Sequence, residues 1–356
     1  MPQSPKLPPP PPSAPPAAAP HPPLPAAATS ADVARLAGVS RATVSYVLNN
    51  AEAVRISEPT RRKVREAAEE LGYVPHAAAR SLRAGHTRIV LLPTSHVPAG
   101  PLYSSFLNAL QWALRRLDYT VVQYGSLGLT GDQAARAWAE LRPVAVISLG
   151  EIVLSAQNVE TLKRAGARAV ITLGPVGVPG AHACVMDQAE VGLRAAAHLI
   201  ERRHRRIGVI VPEEEGLDLF SAPRLEGART AADGVAVIEP LPMAYTEESA
   251  RALAARWRTH GPDAVFAYND EYAMLLMRAL QDEGLRVPED VAVMGADDLL
   301  IGRLLRPRLS TVRIEMPTGD HLAALVDRAV REPSEPPARH DLMSATAVPR
   351  ESTRTA

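Results

Sequence analysis

The sequence lacks the features of a disulfide-rich, metal-binding or membrane protein. Its 356 residues include one cysteine, Cys184, which excludes an internal disulfide and any cysteine-rich zinc module. No apolar run approaches the length of about 18 residues that a transmembrane helix needs. Basic and acidic side chains balance at 39 each. This balance does not exclude a nucleic-acid partner, because the two signs of charge can lie in different domains.

Proline, in contrast, is abundant and concentrated at the start of the chain. Of its 33 prolines, 13 lie in the first 28 residues. Proline lacks an N–H donor, and alanine and proline bury too little surface to offset chain entropy. We therefore predict a disordered, partly polyproline II tail over residues 1–28. The prolines also interrupt any apolar stretch that a signal peptide would need, so we expect a cytoplasmic protein.

Helical periodicity begins directly after this tail. Thr29 and Asp32 fit a capping box, and Gly38 ends the short helix that follows. Ser40 is placed to cap a second helix, and a third helix begins near Ser57. Residues 30–88 carry 10 Lys/Arg and 6 Asp/Glu, a net charge of +4. We predict a small, basic, all-α domain over residues 29–75.

The order of helix, glycine turn and second helix in residues 31–50 (ADVARLAGVSRATVSYVLNN) is typical of a helix-turn-helix, whose second helix enters the major groove of DNA. The outward face of that helix would carry residue types suited to phosphate and base-edge contacts, namely Arg41, Ala42, Thr43, Ser45, Tyr46 and Asn49. From the pattern alone, a helical hairpin that only packs remains an alternative.

From residue 88 onward, short apolar runs alternate with helical stretches. Runs that are apolar throughout indicate strands of parallel sheets, buried on both faces. Nine such runs predict two doubly wound α/β lobes rather than one. The predicted strands are Ile89–Leu92, Tyr119–Tyr124, Val144–Leu149, Ala169–Leu173, Ala183–Met186, Ile207–Val211, Val235–Ile238, Ala264–Ala267 and Val291–Met294.

Polar residues follow several of these predicted strands, where open parallel sheets bind ligands. They are Asp187, Asn269 with Asp270, and Asp297 with Asp298. Such oxygen-rich side chains suit the hydroxyls of a small polyol or sugar. The alternative is that they only cap the helices that follow. We favour this structural role for Asp270 and Asp298, and we interpret Glu213–Glu215 as an exposed loop.

The helix-turn-helix, with ISEPTRRKVREAAEELGYVPHAAARSLRAG behind it, resembles the DNA-binding headpiece of the lactose-repressor/galactose-repressor family. The resemblance is dense to Gly85 and looser to the C-terminal PRES. It implies that Arg41, Ala42 and Tyr46 read base edges, and that Thr43, Ser45 and Asn49, together with Ser40, lie near phosphates. It also implies a hinge helix within residues 76–87, with Leu82 wedged between base pairs and Ala79 allowing close approach. His76 stands where the family usually has Asn, which puts the start of the hinge helix in doubt.

For the remainder, residues 88–356, the resemblance implies a core of two lobes like that of periplasmic binding proteins. We place the first lobe at 88–199 and 313–333 and the second at 200–312 and 334–356. The resemblance implies an effector cleft between the lobes. Its expected residues are Asp187, Arg224, Tyr245, Asn269 and Asp297.

We therefore predict a homodimeric transcriptional regulator, most simply a repressor, that binds double-stranded operator DNA and responds to a sugar-like effector. The sequence has no nucleophile elbow, phosphate loop or dinucleotide fingerprint and no metal-ligand spacing, so we expect no enzyme, cofactor or metal. The main alternative is a periplasmic-type sugar-binding protein without a DNA role. Whether the effector releases DNA or promotes its binding is left open.

Overall fold

A computed structural model describes residues 28–48, 55–74, 81, 85–94, 100–126, 128–149, 153–174 and 177–354. The chain divides between Arg80 and Ser81 into two compact units. In the part of the chain that the structure describes, every helix is too short or too polar to span a lipid bilayer.

The N-terminal unit is a three-helix headpiece. Its helices are α1 (Ser30–Ala37), α2 (Arg41–Leu48) and α3 (Glu58–Glu70). Thr29 and Asp32 form the capping box of α1, and Gly38 ends this helix with a φ of 67°, a backbone angle that favours glycine. The backbone N–H of Thr43 donates to Ser40 Oγ at 3.0 Å, so Ser40 caps α2. These observations confirm the predicted helix order and explain where α1 and α2 begin.

The headpiece core is small and aliphatic. It brings together one apolar stripe from each helix, consisting of Val33, Ala34, Val44, Val47, Val64, Ala67 and Ala68. Because this stripe faces inward, the polar residues of α2 face outward. A core of this size stabilises the unit without involving the charged residues of α3, which are largely exposed.

The larger unit contains two lobes, each built on a twisted sheet. The elements of the first lobe are β1 (Ile89–Thr94), α4 (Pro101–Arg116), β2 (Thr120–Gly125), α5 (Gly131–Glu140), β3 (Ala145–Ser148), α6 (Ala156–Arg164), β4 (Ala169–Gly174) and β5 (His182–Val185), with the later α13 (Gly319–Arg331) and β11 (Arg339–Asp341). Its sheet has the order β11-β5-β4-β3-β1-β2, and its strands are parallel.

The second lobe repeats this plan. Its elements are α7 (Gln188–Glu201), β6 (Arg206–Pro212), α8 (Asp218–Ala232), β7 (Val237–Met243), α9 (Glu247–Ala255), α10 (Trp257–His260), β8 (Ala264–Phe266), α11 (Asp270–Asp282), β9 (Ala292–Ala296), α12 (Leu300–Leu304), β10 (Ser310–Glu315) and β12 (Ser344–Val348). The sheet order is β12-β10-β9-β8-β6-β7, and only the β10–β12 pair is antiparallel.

Each sheet is covered by helices on both faces, which confirms the predicted doubly wound architecture. In the first lobe, one core layer lies under α4 and α13, and the other lies under α5 and α6. In the second lobe, the layers lie under α9 with α11 and under α7 with α8. The prediction that the strands are buried on both faces is wrong for β2 and β7. Both lie at the edge of a sheet, where helices cover a strand less completely, and both are partly exposed.

The chain passes between the lobes at places that differ from the predicted boundaries. α7 packs on α8, β10 and β12 of the second lobe, although 188–199 was predicted in the first lobe. β10 belongs to the second sheet, and β11 pairs with β5 of the first. The passages are therefore at residues 186–187, 316–318 and 342–343. The apolar stripe of a helix shows that it covers a sheet but not which sheet, and this is why the pattern misplaced α7.

Candidate nucleic-acid interface and ligand cleft

The outward face of α2 carries the residues predicted to contact DNA. Arg41, Ala42 and Tyr46 are exposed, whereas Thr43 and Ser45 are half-buried. Tyr46, beside the buried Val47, is 41% exposed. It is not one of the side chains that form the headpiece core, so its exposed surface is available to a partner.

Ser40 and Thr43 lie together at the start of α2. Their hydroxyl oxygens are 2.9 Å apart, and both residues are at the end of the helix where backbone N–H groups favour anions. Four other predicted residues, Asn49, His76, Ala79 and Leu82, lie outside the described residues. Their roles remain predictions from the sequence.

In the larger unit, a cleft of about 600 Å³ lies between the two lobes. The first lobe contributes the N-terminal turn of α4, residues 100–104, and Met186 at a passage between the lobes. The second lobe contributes most of the polar lining. These polar residues are Gln188, Glu214, Arg224, Tyr245, Tyr268, Asn269, Glu271, Tyr272 and Asp297. Four of the five predicted effector residues therefore line one cavity.

The fifth predicted residue, Asp187, does not line this cleft. Its exposed carboxylate accepts a hydrogen bond of 3.0 Å from the backbone N–H of Ala189 and caps α7. The next residue, Gln188, is buried and faces the cleft instead. The helix-cap alternative thus describes Asp187, and the ligand-facing side chain at this strand end is one position further along.

Arg224 is held by a dense set of contacts on α8. Its Nε and Nη2 donate to Gln188 Oε1 at 3.0 and 2.8 Å, and its Nη1 donates to the carbonyl oxygen of Tyr268 at 2.6 Å. The guanidinium also lies over the Tyr268 ring, 4.8 Å from the ring centre. A buried arginine with this many partners is fixed in one orientation, as a recognition residue requires.

Asn269 and Asp297 face the cleft from the ends of two neighbouring strands. Asn269 Oδ1 accepts from the backbone N–H groups of Glu271 and Tyr272 at 3.1 and 3.0 Å and so caps α11. Burial raises the pKa of Asp297, although Arg224 and the Asn269 side chain oppose this shift. Asp297 also has a φ of 94°, a left-handed conformation that costs energy for a residue with a side chain.

The carboxylates just outside the cleft are structural, as we favoured from the sequence. Asp270 is fully buried, and it accepts from Thr311 Oγ1 at 2.6 Å and from the backbone N–H of Leu299 at 2.7 Å. Burial raises its pKa to about 7. Asp298 pairs with Arg303, Arg313 and Arg350. Asp270 thereby ties the start of α11, beside Asn269, to the loop that carries Asp297.

Sequence reasoning missed the role of Glu214, because it treated residues 213–215 as one exposed loop. Glu213 and Glu215 are exposed, but Glu214 is half-buried and lines the cleft. Its carboxylate accepts hydrogen bonds from the hydroxyl of Tyr272 and from the backbone N–H of Tyr245. A run of three identical residues gives no signal that its middle member points inward.

Three tyrosines form an aromatic wall beside Glu214. The ring centres of Tyr245 and Tyr272 are 5.1 Å apart, and those of Tyr268 and Tyr272 are 5.4 Å apart at nearly a right angle. These are favourable distances for aromatic pairs. Tyr245, predicted to pack against a sugar face, is 42% exposed at the outer end of this wall.

The close approach of α7 and α8 positions Gln188 and Arg224, and it depends on two glycines. A Cβ at Gly192 would lie 1.7 Å from the carbonyl oxygen of Arg224, and a Cβ at Gly227 would lie 1.9 Å from that of Ala189. Both contacts are with backbone, so the helices themselves would have to separate.

We therefore expect Gly192→Ala to lower the free energy of unfolding by about 3 kcal/mol, because overpacking forces backbone shifts. Chemical denaturation of the purified protein would measure this. Gly125→Ala is the matched control, since Gly125 has ordinary backbone angles and open space around its Cβ position. A change below about 0.5 kcal/mol for Gly192→Ala would show that the helices separate freely.

Comparison with known proteins agrees with both parts of this architecture. Residues 29–76 match the family described as bacterial regulatory proteins, lacI family, and residues 196–353 match a periplasmic binding protein-like domain. The HTH-type transcriptional regulator CelR of Thermobifida fusca is 33% identical over 322 residues, which cover 85% of this chain and 92% of CelR. The chain belongs to the lacI family.

Solved structures resemble this LacI-family regulator over nearly its whole length. A CelR–cellobiose complex matches with a TM-score of 0.60 and 29% identity, covering 91% of this chain and 99% of that one. The lac repressor dimer bound to operator and the anti-inducer ONPF matches with a TM-score of 0.74, covering 92% and 99%. Its identity of 22% supports the shared fold alone.

Family membership decides between the functions that the sequence left open. The regulator is a DNA-binding protein of transcription control, as predicted, and its relatives are regulators rather than enzymes. Two alternative interpretations are therefore rejected. One is a helical hairpin that only packs, and the other is a sugar-binding protein without a DNA role. The described residues hold no group of three His, Cys, Asp or Glu side chains that could bind a metal ion.

Proposed function

We propose that this regulator is a repressor that binds a pseudo-palindromic operator as a homodimer, and that a sugar-like effector in the cleft controls its affinity for DNA. The observation that carries the effector proposal is the convergence of Arg224, Asn269 and Asp297 with Tyr245 in one cavity between two lobes. Fixed polar groups that surround an aromatic wall suit a ligand with hydroxyl groups and an apolar face. The relative CelR has been solved with cellobiose, a neutral disaccharide, in complex.

DNA recognition is assigned to α2. Arg41 and Tyr46 would make the main base contacts, because Ala42 offers only a methyl group. Ser40, Thr43 and Ser45 would contact phosphates, and the undescribed Asn49, His76, Ala79 and Leu82 keep the roles that the sequence predicted for them. The division into a tail (1–28), headpiece (29–75), hinge (76–87) and core (88–356) is part of this proposal.

A homodimer fits the exposed apolar residues of the core. Leu300 and Leu304 lie one turn apart on α12, and 69% and 65% of their surfaces are exposed. Trp112 on α4 is 66% exposed. Large apolar side chains of this kind favour association. A twofold dimer would present two α2 helices to half-sites related by the same symmetry.

The proposed mechanism is a shift between two states of the core. A ligand that contacts both lobes stabilises the arrangement in which the cleft is closed around it. The chain passes between the lobes at residues 186–187, 316–318 and 342–343, and the first two passages contain the cleft residues Met186 and Met316. Coupling between effector and operator binding is then reciprocal, with a typical size of about 1–3 kcal/mol. The protein would act in the cytoplasm, on the nucleoid.

A mobility-shift assay with the DNA upstream of the protein's own gene tests this proposal. We expect a shifted complex with two chains per DNA fragment. Its affinity should fall by a factor of about a thousand or more between 50 and 200 mM salt, because phosphate contacts release counterions. The control is an unrelated fragment of equal length, which should bind much more weakly. The absence of any complex with the upstream DNA at low salt would contradict the proposal.

A further inference from the structure

The ionisable groups of the cleft are mostly acidic. Among the described lining residues, the carboxyl groups are Glu214, Glu271 and Asp297, and the only cation is Arg224. Burial, and after it the proximity of Asp297, raise the pKa of Glu271. The carboxylates would repel an anionic group on the ligand, and water screens this repulsion poorly because the space is partly enclosed.

Glu214 is the carboxylate whose negative charge is best supported. Partial burial opposes its ionisation, but hydrogen bonds from the Tyr272 hydroxyl and the Tyr245 backbone hold its pKa below the ordinary value. It therefore stays charged at neutral pH. Because its partners belong to the aromatic wall, its charge lies where a sugar ring would pack on Tyr245 and Tyr272.

Arg224 has little capacity left to neutralise an anionic ligand. Three of the five N–H groups of a guanidinium are already donated, two to Gln188 and one to the carbonyl of Tyr268. Its positive charge also lowers the pKa of the half-buried Asp297 and so opposes the effect of burial. The remaining two N–H groups suit the oxygens of hydroxyl groups better than a phosphate dianion, whose second charge would have no partner.

The helix N-termini at the cleft do not reverse this balance. The first N–H groups of α11, those of Glu271 and Tyr272, are taken by the side chain of Asn269. The first turn of α4 also lines the cleft, but Pro101 lacks an N–H and the N–H of Ser104 is donated to the carbonyl of Gly100, so Leu102 and Tyr103 supply the other N–H groups of that turn. A helix N-terminus carries roughly half a positive charge, which is less than the full negative charge of the Glu214 carboxylate.

We infer that the cleft takes an uncharged, polyhydroxylated ligand and rejects the phosphorylated form of the same sugar, and that Glu214 is a specificity-determining residue for this choice. The inference rests on the proposed function, in which the cleft holds a sugar-like effector. It deepens that proposal, because a sugar and its phosphate present the same ring to the aromatic wall and differ by the phosphate group and its charge. Glu214 discriminates between them by repulsion, and it keeps Tyr272 and Tyr245 in place.

Isothermal titration of the full-length protein with matched pairs of sugars tests this inference. The pairs are glucose, galactose and cellobiose, each beside its 6-phosphate, at constant ionic strength. We expect at least one neutral sugar to bind, and its phosphate to bind at least about tenfold more weakly. A phosphate that binds as tightly as its neutral partner would overturn the inference, and so would a panel in which no neutral sugar binds.

Glu214→Gln tests the assigned residue, because the glutamine oxygen can still accept from the Tyr245 N–H and its NH2 group can donate to the Tyr272 hydroxyl, while the charge is removed. The ratio of the two affinities, rather than either affinity alone, is the readout. We expect the preference for the neutral sugar over its phosphate to fall by about five- to thirtyfold. Coulomb's law gives this range for two unit charges, one on Glu214 and one on the phosphate, about 8 Å apart at effective dielectric constants of about 20 to 40. Glu215→Gln is the matched control, since Glu215 is exposed and does not line the cleft. Equal ratios in Glu214→Gln and the parent protein would show that Glu214 does not set the preference.

A parallel mobility-shift assay separates failure of this inference from failure of the proposed function. If a sugar phosphate binds tightly and changes operator affinity, the effector-controlled regulator stands and the charge selectivity is wrong. If neutral sugars bind with the expected preference but leave operator affinity unchanged, the selectivity stands and the proposed control of DNA binding is wrong.

Discussion

Replacing Arg224 with alanine is expected to weaken effector binding by about a hundredfold or more and to abolish the effect of the ligand on DNA. Arg224 is buried and donates three hydrogen bonds, and removing such a charged donor is costly because the acceptors that it served stay behind without a partner. Here the half-buried Asp297 would lose the nearby cation that favours its charged form, and Gln188 Oε1 would lose both of its donors. Titration of the ligand and a mobility-shift assay would measure the two effects.

Two further variants show whether this loss is specific. Arg229→Ala lies on the same helix, but Arg229 is exposed and pairs only with Glu226 along the surface, so it should bind ligand normally. Arg224→Lys keeps the charge and loses the planar fork, so it should recover only part of the affinity. Operator binding without ligand should be retained in all three variants. If Arg224→Ala binds ligand within threefold of the parent, the cleft is not the effector site.

The second large effect is expected in the headpiece. Tyr46→Ala should weaken operator binding by about ten- to a hundredfold, because the tyrosine is assigned to base-edge contact. Its effect on folding should be small, since its ring is substantially exposed. Competition between operator and unrelated DNA, measured at several salt concentrations, would show lower specificity but an unchanged salt dependence, because tyrosine carries no charge.

Val47→Ala provides the contrast to Tyr46→Ala. Val47 is almost fully buried in the headpiece core, so its truncation should lower the thermal stability of the headpiece and weaken binding to all DNA. If Tyr46→Ala behaves like Val47→Ala, with lost stability and no change in specificity, then Tyr46 supports the fold rather than reading bases.

Much of the architecture could be predicted because local signals dictate it. Thr29 with Asp32 and the left-handed Gly38 determine where α1 begins and ends, and both are visible as residue types at fixed spacing. The apolar runs predicted most strands of both sheets for the same reason. The strands β10, β11 and β12 were missed, because none of them is a continuous apolar run. β11 and β12 are short and partly exposed, and polar residues interrupt β10.

The cleft was predicted only in part, because its geometry depends on tertiary contacts. Asn269 and Asp297 follow buried strands, and this position alone placed them at the correct edge of the sheet. The same rule failed by one residue at Asp187, since it does not tell a helix cap from the ligand-facing residue beside it. Glu214 could not be identified at all, because its orientation depends on Tyr245 and Tyr272, which are distant in sequence.

The most direct test of the account is the affinity of the intact protein for its own upstream DNA, measured with and without a saturating concentration of the neutral sugar that binds it most tightly. Coupling of the usual size between effector and operator sites predicts a change of about 5- to 150-fold in that affinity. The same change should be absent in Arg224→Ala. Equal affinity with and without the sugar would contradict the claim that the cleft between the lobes controls the headpiece.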